Sequence, residues 1–100
     1  MSYKYIYDPI ALIEYKEAIN WYNNGSERAA ENFVLEVTKK IDMICKHPLR
    51  CRNEYKNFRE TVLKKYPYSI VYFIDDDTKT IIITSVYHQK RNPKMKYEKV

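Results

Sequence analysis

Residues 69–88 read SIVYFIDDDTKTIIITSVYH. The first seven are β-branched and aromatic on both faces, which suits a central strand rather than a half-exposed one. Asp75-Asp76-Asp77-Thr78-Lys79 is a polar turn, and residues 80–88 are apolar again until they stop at a histidine. The spacing therefore predicts an antiparallel hairpin with strands over 69–75 and 80–88. Residues 57–63, NFRETVL, alternate and add a third strand upstream. The tyrosine-rich YKYIY at 3–7 reads as a fourth strand.

Between these strands the period changes from two to about 3.6. Asp8-Pro9 is a helix start, with Asp8 as cap and proline at the first helical position. Ala11, Tyr15, Ala18 and Tyr22 then recur on one face, up to a helix end near Asn24. Gly25 stands where a left-handed cap is wanted, and Ser26 caps a second helix at once. Ala30, Phe33, Val34, Val37, Ile41 and Ile44 form its apolar stripe, and His47-Pro48 closes it. Trp21 and Phe33 lie on or beside the stripes and are read as core. The order is β-α-α-β-β-β, an α+β fold with a helical hairpin on a mainly antiparallel four-stranded sheet. One domain spans residues 1–100.

Composition narrows the function. Apolar residues are 45% and charged residues 31% of the chain, the balance of a globular domain rather than a disordered one. No apolar stretch approaches the roughly 20 residues of a membrane span. The first residues lack the pattern of a signal peptide, so a cytoplasmic protein is expected. Cys45 and Cys51 have neither zinc nor redox spacing, and two scattered histidines make a metal site improbable. A single glycine rules out glycine-rich phosphate loops, and no cofactor is expected. Residues 1–50 hold seven cations and seven anions, so the whole net charge of +5 arises in residues 51–100. That one-sided basicity points to a polyanion or an acidic protein partner.

His88 is the leading candidate for chemistry, a histidine at a strand end beside Lys90 and Arg91 that can shuttle protons near neutral pH. Arg91 and Arg59 can each hold a phosphate or carboxylate. Lys64 and Lys65 lead into Tyr66-Pro67-Tyr68, interleaving cations with aromatic rings as binders of single-stranded nucleic acid do. With Tyr87, Gln89 and Lys90 they form the candidate target-binding set. Tyr87 and His88 fall on opposite faces of a regular strand. The aspartates at 75–77 read as turn residues.

Residues 58–93, FRETVLKKYPYSIVYFIDDDTKTIIITSVYHQKRNP, resemble the RelE/ParE superfamily of type II toxin–antitoxin toxins, often labelled plasmid stabilisation proteins. AINWY (18–22), AAENFVLEV (29–37) and His47-Pro48 match that family's helical hairpin, so the resemblance spans nearly the whole chain. It implies a growth-inhibiting bacterial toxin silenced by a cognate antitoxin in a hetero-oligomer. RelE-like members cut mRNA on the ribosome with the RNA 2′-hydroxyl as nucleophile, whereas ParE-like members poison DNA gyrase. RelE-like toxins carry an arginine where this chain has Ser69, and a further basic position matches Gln89. Their preceding-strand lysines fall near Glu60 and Val62. His88 matches a proton-transferring histidine of YoeB-type members. One proton shuttle without its cationic partners favours a ParE-like gyrase poison. A ribosome-dependent endonuclease is the alternative, and a degenerate non-toxic binding protein a third reading.

Overall fold

Asp8 and Ser26 set the two helix starts that the sequence places there. A computed structural model describes residues 2–90, the side chains of Glu54 and Tyr55 excepted. The elements are β1 (Lys4–Tyr7), α1 (Pro9–Gly25), α2 (Glu27–Lys46), β2 (Asn53–Tyr55), β3 (Phe58–Val62), β4 (Tyr68–Asp75) and β5 (Thr80–His88). The Asp8 carboxylate accepts the Ile10 N–H at 3.1 Å, with Pro9 opening the helix. Ser26 serves both helices. Its extended backbone donates to the Tyr22 carbonyl at 3.0 Å, while its hydroxyl accepts from the Ala29 N–H at 2.9 Å.

Gly25 corrects one expectation. It is the last residue of α1, and no described glycine has a positive φ. The extended Ser26 turns the chain, so the left-handed cap is not needed. A methyl group added at Gly25 would meet nothing within 4 Å. Gly25→Ala should therefore raise stability by roughly 0.5–1 kcal/mol, read as a higher urea midpoint at unchanged slope.

All four expected strands form, and the architecture is the α+β layer of a helical hairpin on a sheet. The short β2 adds a fifth strand, and the order is β1-β5-β4-β3-β2. β1 runs parallel to β5, from Lys4 beside Thr80 to Tyr7 beside Ile83, and the other pairs are antiparallel. Val71 pairs with Ser85 while Tyr72 pairs with Ile83, so Thr84 is the extra residue of a bulge in β5.

The core lies between hairpin and sheet. Ala11 and Ala18 of α1 let that helix approach closely, and Phe33, Val37, Ile41 and Ile44 of α2 meet Tyr68, Ile70, Tyr72, Ile81, Ile83 and Val86. Phe33 is fully buried, with its ring centroid 4.9–6.1 Å from the rings of Tyr15, Tyr22, Tyr66 and Tyr68. Several of the tyrosines thus serve as core aromatics.

β1 covers only residues 80–83 of the outer edge of β5. Beyond it, α1 takes over. Glu14 Oε1 accepts the Ser85 hydroxyl at 3.0 Å and the Val86 N–H at 3.2 Å. The carboxylate thereby satisfies strand groups that an exposed edge would offer to another chain.

Candidate functional site

His88 ends β5 opposite Tyr68, and the two rings meet edge to face at 5.0 Å. The Lys90 N–H donates to His88 Nδ1 at 3.1 Å, which makes Nδ1 an acceptor and leaves Nε2 to carry the proton of the neutral ring. The Gln89 N–H donates to the Pro67 carbonyl at 2.8 Å and ties this turn to the start of β4. Trp21, Tyr68, His88 and Lys90 line a concavity of about 240 Å³ there. Trp21 is 71% exposed, so the expectation of a core tryptophan is corrected, whereas Phe33 is core as expected. The stripe on α1 is narrow because it rests on small alanines, and Trp21 stands just beside it.

Arg59 is elsewhere. It pairs with Tyr72 and His88 with Tyr68, so pleating puts both on the helix-facing side of the sheet. Four residues of β4 separate the two registers, roughly 13 Å at strand rise. Arg59 Nη1 donates to the Cys51 carbonyl at 2.6 Å, and the Tyr72 hydroxyl donates to the Pro48 carbonyl at 2.8 Å. Together they fasten the segment between α2 and β2. Burial pushes the Tyr72 phenol up, which keeps it a donor. The cavity at Arg59, about 560 Å³, is lined by Leu49, Asn53, Asn57 and residues 73–77, none of which reaches the His88 concavity.

The other candidates disperse. Lys64 and Lys65 are exposed between β3 and β4, and Lys65 faces Glu36 and Lys39 of α2 across a shallow hollow. Tyr87 pairs with Ser69 on the reverse face of the sheet, and both are buried, at 6% and 1% exposure. Gln89 is exposed. Arg91 and the basic residues after it lie outside the described residues. Tyr68, His88 and Lys90 are thus brought together, and the exposed Trp21 joins them.

The acidic run at 75–77 serves the turn, since Asp75 Oδ1 accepts the N–H groups of Asp77 and Thr78 at 3.1 and 3.3 Å. Cys45 and Cys51 are free thiols, and burial pushes the Cys45 thiol up. Among the described residues no group of three His, Cys, Asp or Glu is placed to hold a metal ion. No helix among them is long and apolar enough to cross a membrane. On the outer side of the hairpin, Ile19, Ala30, Val34 and Leu35 floor an apolar groove of about 600 Å³, rimmed by Glu27 and Glu31.

Residues 5–93 match the family model described as the ParE toxin of the type II toxin–antitoxin system parDE. No curated protein matches the sequence. Among solved structures, the fold is similar to one from the chromosomal ParDE system of P. aeruginosa, with a TM-score of 0.74 at 14% identity over 87% of this chain and 96% of that one. The isolated E. coli RelE toxin gives 0.66 at 18% identity over 92% and 89%. The RelBE2 toxin–antitoxin complex of Mycobacterium tuberculosis gives 0.57 at 19% identity over 88% and 99%.

Proposed function

We propose, because this chain belongs to the ParE toxin family of type II toxin–antitoxin systems, that it arrests growth by trapping DNA gyrase on cleaved DNA. A cognate antitoxin neutralises it, and the cytoplasm is where both act. The observation that carries the choice of target is the dispersal of the cationic residues. Cutting RNA requires charge stabilisation at the phosphate as well as proton transfer. Arg59 is bound to the Cys51 carbonyl far along β4 from His88, and Ser69 is buried on the other face. Among the described residues, Lys90 is the cation that lines the His88 concavity. By analogy with oxyanion donors, a missing aligned cation removes roughly 3–4 kcal/mol of transition-state stabilisation.

The antitoxin has a fitting seat in the apolar groove of the hairpin. An amphipathic helix with basic residues flanking its apolar stripe matches the Glu27 and Glu31 rim. The resemblance of the fold to the ParDE and RelBE2 systems supports a protein partner of this kind.

Induced expression of the chain and of His88→Ala tests the reading in cells. Both should arrest growth to a similar degree and raise the DNA-damage response, with mRNA left intact. The partner's gene, co-expressed, should restore growth, and Leu35→Asp in the toxin should blunt that rescue. Translation-dependent mRNA cuts that disappear in His88→Ala would reverse the choice in favour of an endonuclease.

A further inference from the structure

β1 is an outer strand of the sheet, bound to β5 on one side only. The Lys4 N–H donates to the Lys79 carbonyl at 3.2 Å, and the Asp8 N–H to the Ile83 carbonyl at 2.8 Å. In a parallel ladder alternate residues bond the same neighbour, so Lys4, Ile6 and Asp8 face β5. Tyr5 and Tyr7 therefore aim their N–H and C=O groups away from the sheet, and among the described residues no backbone group bonds to them. From this open edge we propose that β1 pairs antiparallel with β1 of a second copy of the chain, Ile6 opposite Ile6. The inference goes beyond the gyrase reading and does not depend on it.

The register follows from which groups are unspent. With Ile6 opposite Ile6, Tyr5 exchanges both backbone bonds with Tyr7 of the second copy, and Tyr7 does so with its Tyr5. Every outward group of the two tyrosines is then satisfied. Sliding the pairing by two residues loses this in either direction. One slide sets Tyr7 against Tyr3, whose N–H is already given to the Cys45 carbonyl at 2.9 Å. The other sets Tyr5 against Pro9, which has no N–H. A slide by one residue mismatches the faces.

The side chains select the same register. Ile6 and Tyr5 are 52% and 46% exposed, one on each face of the strand. Ile6 meets its copy as a close, non-hydrogen-bonded pair. Lys4 falls opposite Asp8 of the second copy at both ends of the seam, placing opposite charges together on one face. Asp8 spends one carboxylate oxygen on its helix cap, and among the described residues no carboxylate pairs with Lys4. On the other face Tyr5 and Tyr7, edge to face at 5.8 Å, join the same two rings of the second copy. So short a seam lies below the size of permanent interfaces, which sets a dissociation constant on the order of 10–100 µM.

Amide hydrogen exchange of the full 100-residue chain, followed by NMR from roughly 10 µM to 1 mM, reads the seam directly. Protection of the Tyr5 and Tyr7 amides should rise severalfold with concentration. Protection of the Ile6 amide, which faces β5 in either state, should stay constant. Sedimentation over the same range should show monomer passing to dimer. Ile6→Lys sets two cations against each other at the centre of the seam and should leave a monomer with unchanged circular dichroism. Cys51 is the partly exposed native thiol, so cross-linking is read in a Cys51→Ser background. There Ile6→Cys should form a disulfide-linked dimer under mild oxidation, because this register brings the two positions within disulfide reach. Lys4→Cys, with its two copies roughly 13 Å apart along the seam, should not.

A monomer at every concentration overturns the inference. So does a dimer that survives Ile6→Lys, or one that cross-links through Lys4→Cys but not through Ile6→Cys. Tyr5 and Tyr7 amides protected only in a co-purified complex with the antitoxin would give the edge to a strand of that partner, and would overturn the pairing of two copies as well.

Discussion

Replacing Phe33 with alanine lowers the stability of the chain by about 3–5 kcal/mol. The side chain is fully buried, and its ring is the common neighbour of Tyr15 and Tyr22 on α1, Tyr66 before β4 and Tyr68 within it. Truncation removes the transfer free energy of the ring and leaves a cavity walled by stiff aromatic rings that cannot collapse into it. A domain of this size has on the order of 5–15 kcal/mol in total, so the variant loses a large part of its margin. Urea unfolding followed by far-ultraviolet circular dichroism measures it, with the midpoint moved and the slope kept. Phe33→Leu fills most of the volume and should cost less than half as much. Equal stability of Phe33→Ala and the parent would mean that the helical hairpin does not rest on the sheet through this ring.

Glu14→Ala carries the second large effect, a loss of roughly 1.5–3 kcal/mol. The carboxylate accepts from both the Ser85 hydroxyl and the Val86 N–H, and hydrogen bonds to a charged group are worth more than neutral ones. Alanine leaves the Val86 N–H facing outward on the part of β5 that β1 does not reach. Hydrogen exchange at the Val86 amide should accelerate well beyond that of Ile82, and the exposed edge should make the variant prone to association. Glu14→Gln keeps an oxygen acceptor and should retain at least half of the lost stability. If alanine and glutamine behave alike and the Val86 amide stays protected, another group closes this edge.

Much of this architecture is legible in the residues. Thr80–His88 is bounded by a turn before it and a polar, proline-ended segment after it, and these are the strand's limits in the structure. Ser26 and Asp8 are local caps, so their roles need no tertiary information. The misreadings have tertiary causes. β2 is three residues long and forms because it lies against β3, without an apolar alternation of its own. The parallel pairing of β1 with β5 joins residues more than seventy positions apart, and nothing local encodes it. Gly25 has the conformational freedom a left-handed cap needs, but the extended Ser26 supplies the turn.

The site shows the same division. His88 and Lys90 are close in sequence, and Tyr68 joins them through the hairpin register that the strand pattern anticipates. Trp21 reads as core in the sequence because an apolar residue beside a helical stripe looks the same whether the layer beneath extends far enough to cover it or stops short. Arg59 sits in a strand as expected, yet its partner is a loop carbonyl that only the folded chain brings near.

The most direct test of the central claim uses purified gyrase, supercoiled plasmid, ATP and the full 100-residue chain. Trapping with detergent and protease should reveal linearised plasmid that rises with toxin, requires gyrase, and persists in His88→Ala. Intact supercoils at every toxin concentration, together with codon-positioned mRNA cuts in a purified translation system, would contradict it.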